Sequence, residues 1–117
     1  MHRRRRLARL ARRLLAAGWP VLVDASFLAA GERQRFARLA ARLGVPFRIV
    51  ACSAPPEVLR ERVGRRAALA GDASEADLAV LDAQRARYQP LGADEQALAI
   101  VVDTSRPYAV PGLLDAV

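Results

Sequence analysis

Three short apolar segments, separated by stretches with helical periodicity, constrain the fold of this chain most strongly. Strands are predicted near residues 21–25, 47–52 and 98–103, because each segment contains a short apolar run of strand length. Such runs are typical of strands buried on both faces of a parallel sheet. Strands that alternate with helices imply parallel pairing and a sheet covered by helices. We therefore expect a three-layer α/β fold.

The segments around these strands have apolar residues at every third or fourth position, which is the spacing of an amphipathic helix. Pro55 and Pro56 suit a first helical turn, Gly44 is a typical helix stop, and Ser74 with Asp77 matches a capping box. No repeat or low-complexity linker separates these elements, so residues 1–117 are predicted to form a single partial domain. The predicted helices cover residues 3–17, 32–43, 55–69, 74–88 and 110–117.

The basic charge of the chain is concentrated at its start. All nineteen basic residues are arginines, and the formal net charge is +7. Seven of these arginines lie in the first twenty residues, which contain no acid, so residues 21–117 carry twelve basic and twelve acidic side chains. The high isoelectric point therefore belongs to the first helix and not to the body of the fold.

Cysteine content and hydropathy bear on where the protein is located and whether it crosses a membrane. A single cysteine, Cys52, allows no internal disulfide, which fits a reducing, cytoplasmic location. We expect it to be a small buried thiol. No apolar run approaches the roughly 20 residues of a membrane-spanning helix, so we expect no membrane span.

Polar residues follow each predicted strand. Asp24, Ser53 and the pair Asp103 and Thr104 occupy these positions. In parallel sheets, ligands bind at the carboxyl ends of strands, where loops and helix N-termini meet. These residues are therefore the first candidates for a site.

Four segments in this order resemble the P-loop kinases of the AAA-domain, polynucleotide-kinase-like group, a domain also found in bifunctional aminoglycoside phosphotransferase/ATP-binding proteins. They are VLVDASFL at 21–28, ERQRF at 32–36, LRERVGRR at 59–66 and GDASEAD at 71–77. The resemblance extends from about Leu7 to Thr104. It implies a P-loop NTPase-type fold, a phosphotransferase activity, and ATP and Mg²⁺ as cofactors.

The resemblance also implies roles for individual residues. Asp24 would hold Mg²⁺, usually through water, or orient the phosphoryl acceptor. Arg62 and Arg66 would belong to a lid-like region over residues 57–73, where they stabilise charge on the transferred phosphoryl group. The alternatives are that Asp24 caps a loop and that the two arginines lie on a solvated helix face.

The family resemblance implies binding roles for two further pairs of residues. Arg33 and Arg35 would contact the acceptor substrate, although their spacing with Arg38 also fits an exposed helix face, which we favour. Asp103 and Thr104 would lie near the adenine, although a turn after a strand explains them equally well.

One part of the family pattern is missing from the sequence. P-loop kinases bind phosphates with the segment G-x-x-x-x-G-K-[ST], and the chain has neither this segment nor any lysine. In the family, the strand that leads into this loop lies between the strands that correspond here to 21–24 and 47–52. We therefore expect these two strands to pair directly, or another chain to supply the middle strand, since unpaired buried strand edges are costly.

Two functions remain open. The first is a truncated ATP-binding, kinase-like protein, with Met1 an internal residue of a longer phosphotransferase that acts on a small molecule or a nucleic-acid end. This chain alone would then neither bind ATP tightly nor turn over, and whether it is an enzyme stays open. The alternative is a non-enzymatic basic module that binds nucleic acid or another polyanion through its arginine-rich first helix. An organelle-targeting peptide is a weaker third possibility, because the segment is poor in serine.

Overall fold

The computed structural model describes residues 2–69 and 75–107. In chain order the elements are α1 (His2–Ala16), α2 (Ala30–Leu43), β1 (Ile49–Ser53), α3 (Pro56–Leu69), α4 (Glu75–Arg87), α5 (Ala93–Ala97) and β2 (Ala99–Asp103). The four predicted helices up to residue 88 are confirmed, with ends shifted by one or two residues. The final helix over 110–117, the cap from Ser74 and the end of the lid-like region lie outside the described residues.

These elements form two compact units. The first comprises residues 2–47 and 89–91, and the second comprises residues 48–69, 75–88 and 92–107. The single partial domain over residues 1–117 stays a prediction. Within the part of the chain that the structure describes, no helix is both long and apolar enough to cross a bilayer.

The first unit is built on the packing of α1 against α2. Its core is formed by Ala11, Phe36 and Leu39. The Phe36 ring meets the Phe27 ring edge to face, with centroids 5.4 Å apart, a favoured aromatic geometry. Helix α2 ends at Gly44, whose φ of 67° is left-handed, so the chain reverses there at little steric cost. The part of α1 at Leu7, Ala8 and Ala11 therefore packs within its own unit, whereas Leu10 and Leu14 are each 46% exposed.

The predicted strand near residues 21–25 is wrong. These residues form no β-ladder and have no regular secondary structure. Val21 and Val23 pack against the core of the first unit, whereas Leu22 is 86% exposed. A strand needs a partner for its amides and carbonyls, and β1 pairs instead with β2. Direct pairing of 21–24 with 47–52 is therefore also wrong for the described chain.

The second unit contains a two-stranded parallel sheet, which confirms two of the predicted strands. Ile49 is paired with Ala99, and the register runs on to Ser53 and Asp103. Helices α3 and α4 pack together, with Arg60 and Asp82 in an ion pair of 2.7 Å. Because two strands pair within the described ranges, the sheet there is smaller than the three-stranded one predicted. The arrangement is compatible with a truncated P-loop-like α/β fold.

The sheet is only partly covered. Val102 on β2 is buried, but Cys52, its register partner on β1, is exposed. The prediction of a buried thiol is therefore wrong. Because β1 has a neighbouring strand on one side only among the described residues, the sheet lacks the neighbours that would enclose this side chain.

Candidate functional site

The carboxyl ends of β1 and β2 lie side by side and are joined by hydrogen bonds. Ser53 and Asp103 are register partners at the last position of the two strands. The amide and the hydroxyl of Thr104 both donate to the carbonyl oxygen of Ser53, at 2.8 and 3.1 Å. These bonds continue the ladder by one residue, so Thr104 is fixed at the edge of the sheet where parallel folds bind ligands.

Helix α3 contributes the guanidinium of Arg62 to this edge. Its Nη1 donates to the Thr104 hydroxyl at 2.9 Å, and its Nη2 donates to the Thr104 carbonyl at 2.6 Å. The planar fork of arginine suits such a two-point contact. We call Ser53, Arg62, Asp103 and Thr104 the strand-end cluster. It brings together three of the four residues predicted to bind nucleotide, namely Arg62, Asp103 and Thr104. Arg62 and Thr104 are 42 positions apart in the sequence.

Asp103 is held in its charged form by its own turn. Its Oδ1 accepts from the Ser105 hydroxyl at 2.5 Å and from the Ser105 amide at 2.9 Å. These two bonds, followed by the charges of Arg106 and Arg62, hold the pKa of Asp103 below its ordinary value of 3.8. The carboxylate is exposed, so the cluster presents a negative group beside a cationic one.

Arg66, the fourth predicted nucleotide-binding residue, lies one helical turn beyond Arg62. It is exposed, and its guanidinium makes no hydrogen bond or ion pair with a described residue. Its neighbour Arg65 is different, because it pairs with Glu61 at 2.5 Å. Helix α3 therefore carries one arginine bound to the sheet edge and another, Arg66, that has no partner among residues 2–69 and 75–107.

Asp24 belongs to the first unit, whereas the strand-end cluster belongs to the second. Its carboxylate is exposed and makes no hydrogen bond with the residues that the structure describes. No group of three or more histidine, cysteine or acidic side chains suitable for a metal is present in those residues. A lone carboxylate does not make an all-protein Mg²⁺ site, although Mg²⁺ is commonly held by one or two carboxylates together with substrate phosphates.

The loop that follows Asp24 is held by Arg4 of α1. Arg4 Nε donates to Glu32 Oε2 at 3.1 Å, and its Nη2 donates to the Ser26 hydroxyl at 2.8 Å. The same guanidinium lies 5.2 Å from the centre of the Phe27 ring, a cation–π contact. Sequence reasoning missed this role. The available signal was that Arg4 lies on the apolar side of α1, one turn from Ala8.

Arg33 holds the same loop from the other side. It is only 5% exposed and donates to the carbonyl oxygens of Phe27 at 2.9 Å and Pro90 at 3.3 Å. The favoured prediction of an exposed side chain is therefore wrong for Arg33, because the segment at Pro90 covers it. Arg35, its predicted companion, is half-buried. The structure thus does not present these two arginines as an equivalent pair.

Gln89 completes this clamp on the loop. Its side-chain oxygen accepts from the Ala30 amide at 2.6 Å, and its own amide donates to the Leu28 carbonyl at 2.8 Å. We call Arg4, Arg33 and Gln89 the loop clamp. Because all three contact residues between Ser26 and Glu32, they fix the loop that presents Asp24 and leads into α2.

A family model described as an AAA domain matches residues 2–91. No curated protein and no solved structure matched the chain. The match covers α1 to α4 with β1 and ends before β2, so it includes Asp24, Arg33, Arg35, Arg62 and Arg66.

Proposed function

The chain belongs to the AAA-domain family, a group of P-loop NTPase-like, nucleotide-binding proteins, and on this premise we propose that it is the acceptor-side and lid part of a P-loop phosphotransferase. Its substrate would be a small molecule or a nucleic-acid end. In this proposal the strand-end cluster contacts the nucleotide. No G-x-x-x-x-G-K-[ST] segment occurs among the 117 residues, so the proposal requires a phosphate-binding loop that these residues do not supply.

The observation that carries the proposal is the two-point contact of Arg62 with Thr104. It holds a guanidinium at the carboxyl edge of a parallel strand pair, where α/β proteins bind ligands. A cation held there by the protein loses little conformational entropy when an anion binds. Arg66, one turn away and without a partner among the described residues, provides a second positive charge for the same anion.

The polar groups of the strand-end cluster, together with Arg66, suit a nucleotide. Arg62 and Arg66 would neutralise phosphate oxygens and, during transfer, the charge that develops on the phosphoryl group. Thr104 and Asp103 would face the base or the ribose, since a hydroxyl and a carboxylate match their polar edges. In this scheme Mg²⁺, when bound with ATP, supplies further neutralisation of the phosphates, and Asp24 is the carboxylate proposed to hold it.

The acceptor side of the proposal rests on the first unit. Arg35, half-buried on α2, would contact the acceptor directly. Arg33 would act indirectly, because its bond to the Phe27 carbonyl fixes the loop that precedes α2. Asp24 would orient the acceptor if it does not hold the metal.

Nucleotide titration followed by backbone amide NMR tests this proposal. Without a phosphate loop we expect weak ATP binding, with a Kd of about 1 mM or above. Shifts should be largest at Ser53, Arg62 and Thr104, and Arg62→Gln should abolish them. Arg38→Gln, an exposed arginine on α2, is the matched control and should leave them unchanged. Shifts that map to residues outside the strand-end cluster would contradict the proposal, as would micromolar affinity that survives Arg62→Gln.

A further inference from the structure

Helix α1 presents a continuous cationic surface that has no partner in its own unit. Six of its seven arginines are exposed, and their guanidinium groups make no hydrogen bond or ion pair with residues in the described ranges. Only Arg4 turns inward, where it contacts Glu32 and Ser26. The six exposed residues are Arg3, Arg5, Arg6, Arg9, Arg12 and Arg13.

The exposed arginines are concentrated opposite the buried face. At about 100° per residue, five of them cover an arc of roughly 120° on the side of the helix away from Ala11. From Arg5 to Arg13 these residues extend over roughly 12 Å along the helix axis. The five are Arg5, Arg6, Arg9, Arg12 and Arg13, and we call them the arginine face. No acidic residue occurs anywhere in α1.

This arrangement weakens the helix in the absence of a partner. Arginines at 5 and 9, and at 9 and 13, are like charges one turn apart, which destabilise a helix. The first turn is also entirely basic, although the positive end of the helix dipole favours anions there. A polyanion along the arginine face would offset both unfavourable terms, so the charge pattern is complementary to a row of phosphates.

We propose that the arginine face is a binding surface for the phosphate backbone of a nucleic acid, recognised without regard to base sequence. Arginine matches phosphate oxygens through a two-point contact, and several such contacts release condensed counterions. The surface contains no aromatic side chain that would stack on bases. This inference does not rest on the proposed phosphotransferase function, because no residue of the strand-end cluster takes part.

The packing of α1 favours nucleic acid over an anionic membrane. A helix that binds a bilayer surface inserts its apolar face into the boundary between headgroups and acyl chains. In α1 the centre of that face is covered, because Ala11 packs with Phe36 and Leu39, whereas Leu10 and Leu14 are each 46% exposed. Insertion of the whole face would therefore require the first unit to open, whereas phosphate contacts use only side chains that are already exposed.

Fluorescence anisotropy with labelled oligonucleotides of about 20 nucleotides tests the inference across about 50 to 200 mM salt. Five phosphate contacts predict a slope of about −4 to −5 for log K against log salt with duplex DNA, or an affinity loss of roughly 10² to 10³ over this range. Single strands of different sequence should bind alike. A slope between 0 and about −1 would overturn the proposal.

Charge-matched variants locate the surface. The quadruple variant Arg5→Gln, Arg9→Gln, Arg12→Gln, Arg13→Gln should bind at least about 10-fold more weakly and reduce the slope to about −1. The control removes the same charge elsewhere, through Arg38→Gln, Arg42→Gln, Arg85→Gln and Arg87→Gln, and should change affinity by less than about 3-fold. Equal losses in both variants would overturn the inference.

A vesicle competition and a lysine variant complete the experiment. Vesicles that contain phosphatidylserine should not compete with the oligonucleotide at equal phosphate concentration, and competition would assign the surface to membranes instead. A variant with lysine at the same four positions keeps the charge, so it should retain the salt slope. If the glutamine variant fails to fold by circular dichroism, the lysine variant and the unaltered chain decide the outcome, since loss of the slope in either one contradicts phosphate binding.

Discussion

Arg62 on α3 donates to both the hydroxyl and the carbonyl oxygen of Thr104, at 2.9 and 2.6 Å. This contact ties a helix to the end of the strand pair. It is also the place where the predicted nucleotide-binding residues meet. Its energetic and functional consequences can be separated by measuring the free energy of unfolding apart from ligand binding.

Removing the Arg62 guanidinium group should destabilise the second unit modestly. Arg62→Gln is expected to lower the free energy of unfolding by about 0.5 to 1.5 kcal/mol, because the bonds are charge-assisted but exposed to solvent. Urea denaturation gives this value. Arg66→Gln is the control and should stay within about 0.5 kcal/mol of the unaltered chain. A cycle with Thr104→Val should show a smaller coupling, because the bond from Arg62 to the Thr104 carbonyl survives this change, and additive effects would mean that the hydroxyl bond contributes nothing.

Replacing Arg33 should cost more than replacing an exposed arginine of the same helix. Arg33→Met leaves the partly buried carbonyl oxygens of Phe27 and Pro90 without this donor, so we expect a loss of about 1 to 2 kcal/mol. Arg38→Met, at an exposed position, should cost less than about 0.5 kcal/mol. Equal costs in urea denaturation would show that the burial of Arg33 has no energetic consequence.

The carboxyl of Asp103 should titrate below its ordinary pKa of 3.8. Because the folded-state pKa is lowered, its stabilising contribution is complete above the unfolded value and is lost as the pH falls through the folded value. NMR titration of the side-chain carboxyl carbon measures this pKa. Ser105→Ala should raise it, since both the hydroxyl bond and the order of the turn are affected. Ser53→Ala is the control and should not move it.

The alanine variants of Leu22 and Phe36 should differ sharply in their free energy of unfolding. Phe36→Ala removes a core ring and is expected to cost about 3 kcal/mol. Leu22→Ala should cost about 0.5 kcal/mol or less, because Leu22 is 86% exposed. If residues 21–25 formed a strand buried on both faces, Leu22→Ala would instead cost at least about 2 kcal/mol. Urea denaturation of both variants therefore checks the revised secondary structure.

Local patterns in the sequence were sufficient to predict the four long helices, α1 to α4. The spacing of Phe36, Leu39 and Leu43 predicts α2, and the glycine after it predicts where the helix ends. Helix α5 was missed, although Asp94 and Glu95 in its first turn are a recognised helix signal. Five residues are too few for periodicity to distinguish a helix from a loop.

Pairing and burial depended on residues far apart in sequence. The apolar run at 21–25 was predicted as a strand, but whether such a run pairs is decided by its neighbours, and β1 pairs with a segment fifty residues later. Arg33 was expected to be exposed because its own helix is charged, and it is Pro90 that covers it. The Arg62 contact joins residues 42 apart. Only its location at a strand end was predictable.

The exposure of Cys52 has a practical consequence. As the only cysteine, it accepts a thiol-specific spin or fluorescent label on β1 without any prior mutagenesis. Because its backbone is in register with Val102, a label there reports directly on the strand pair. Immobilisation of such a label on addition of a second polypeptide would reveal a new neighbour beside β1.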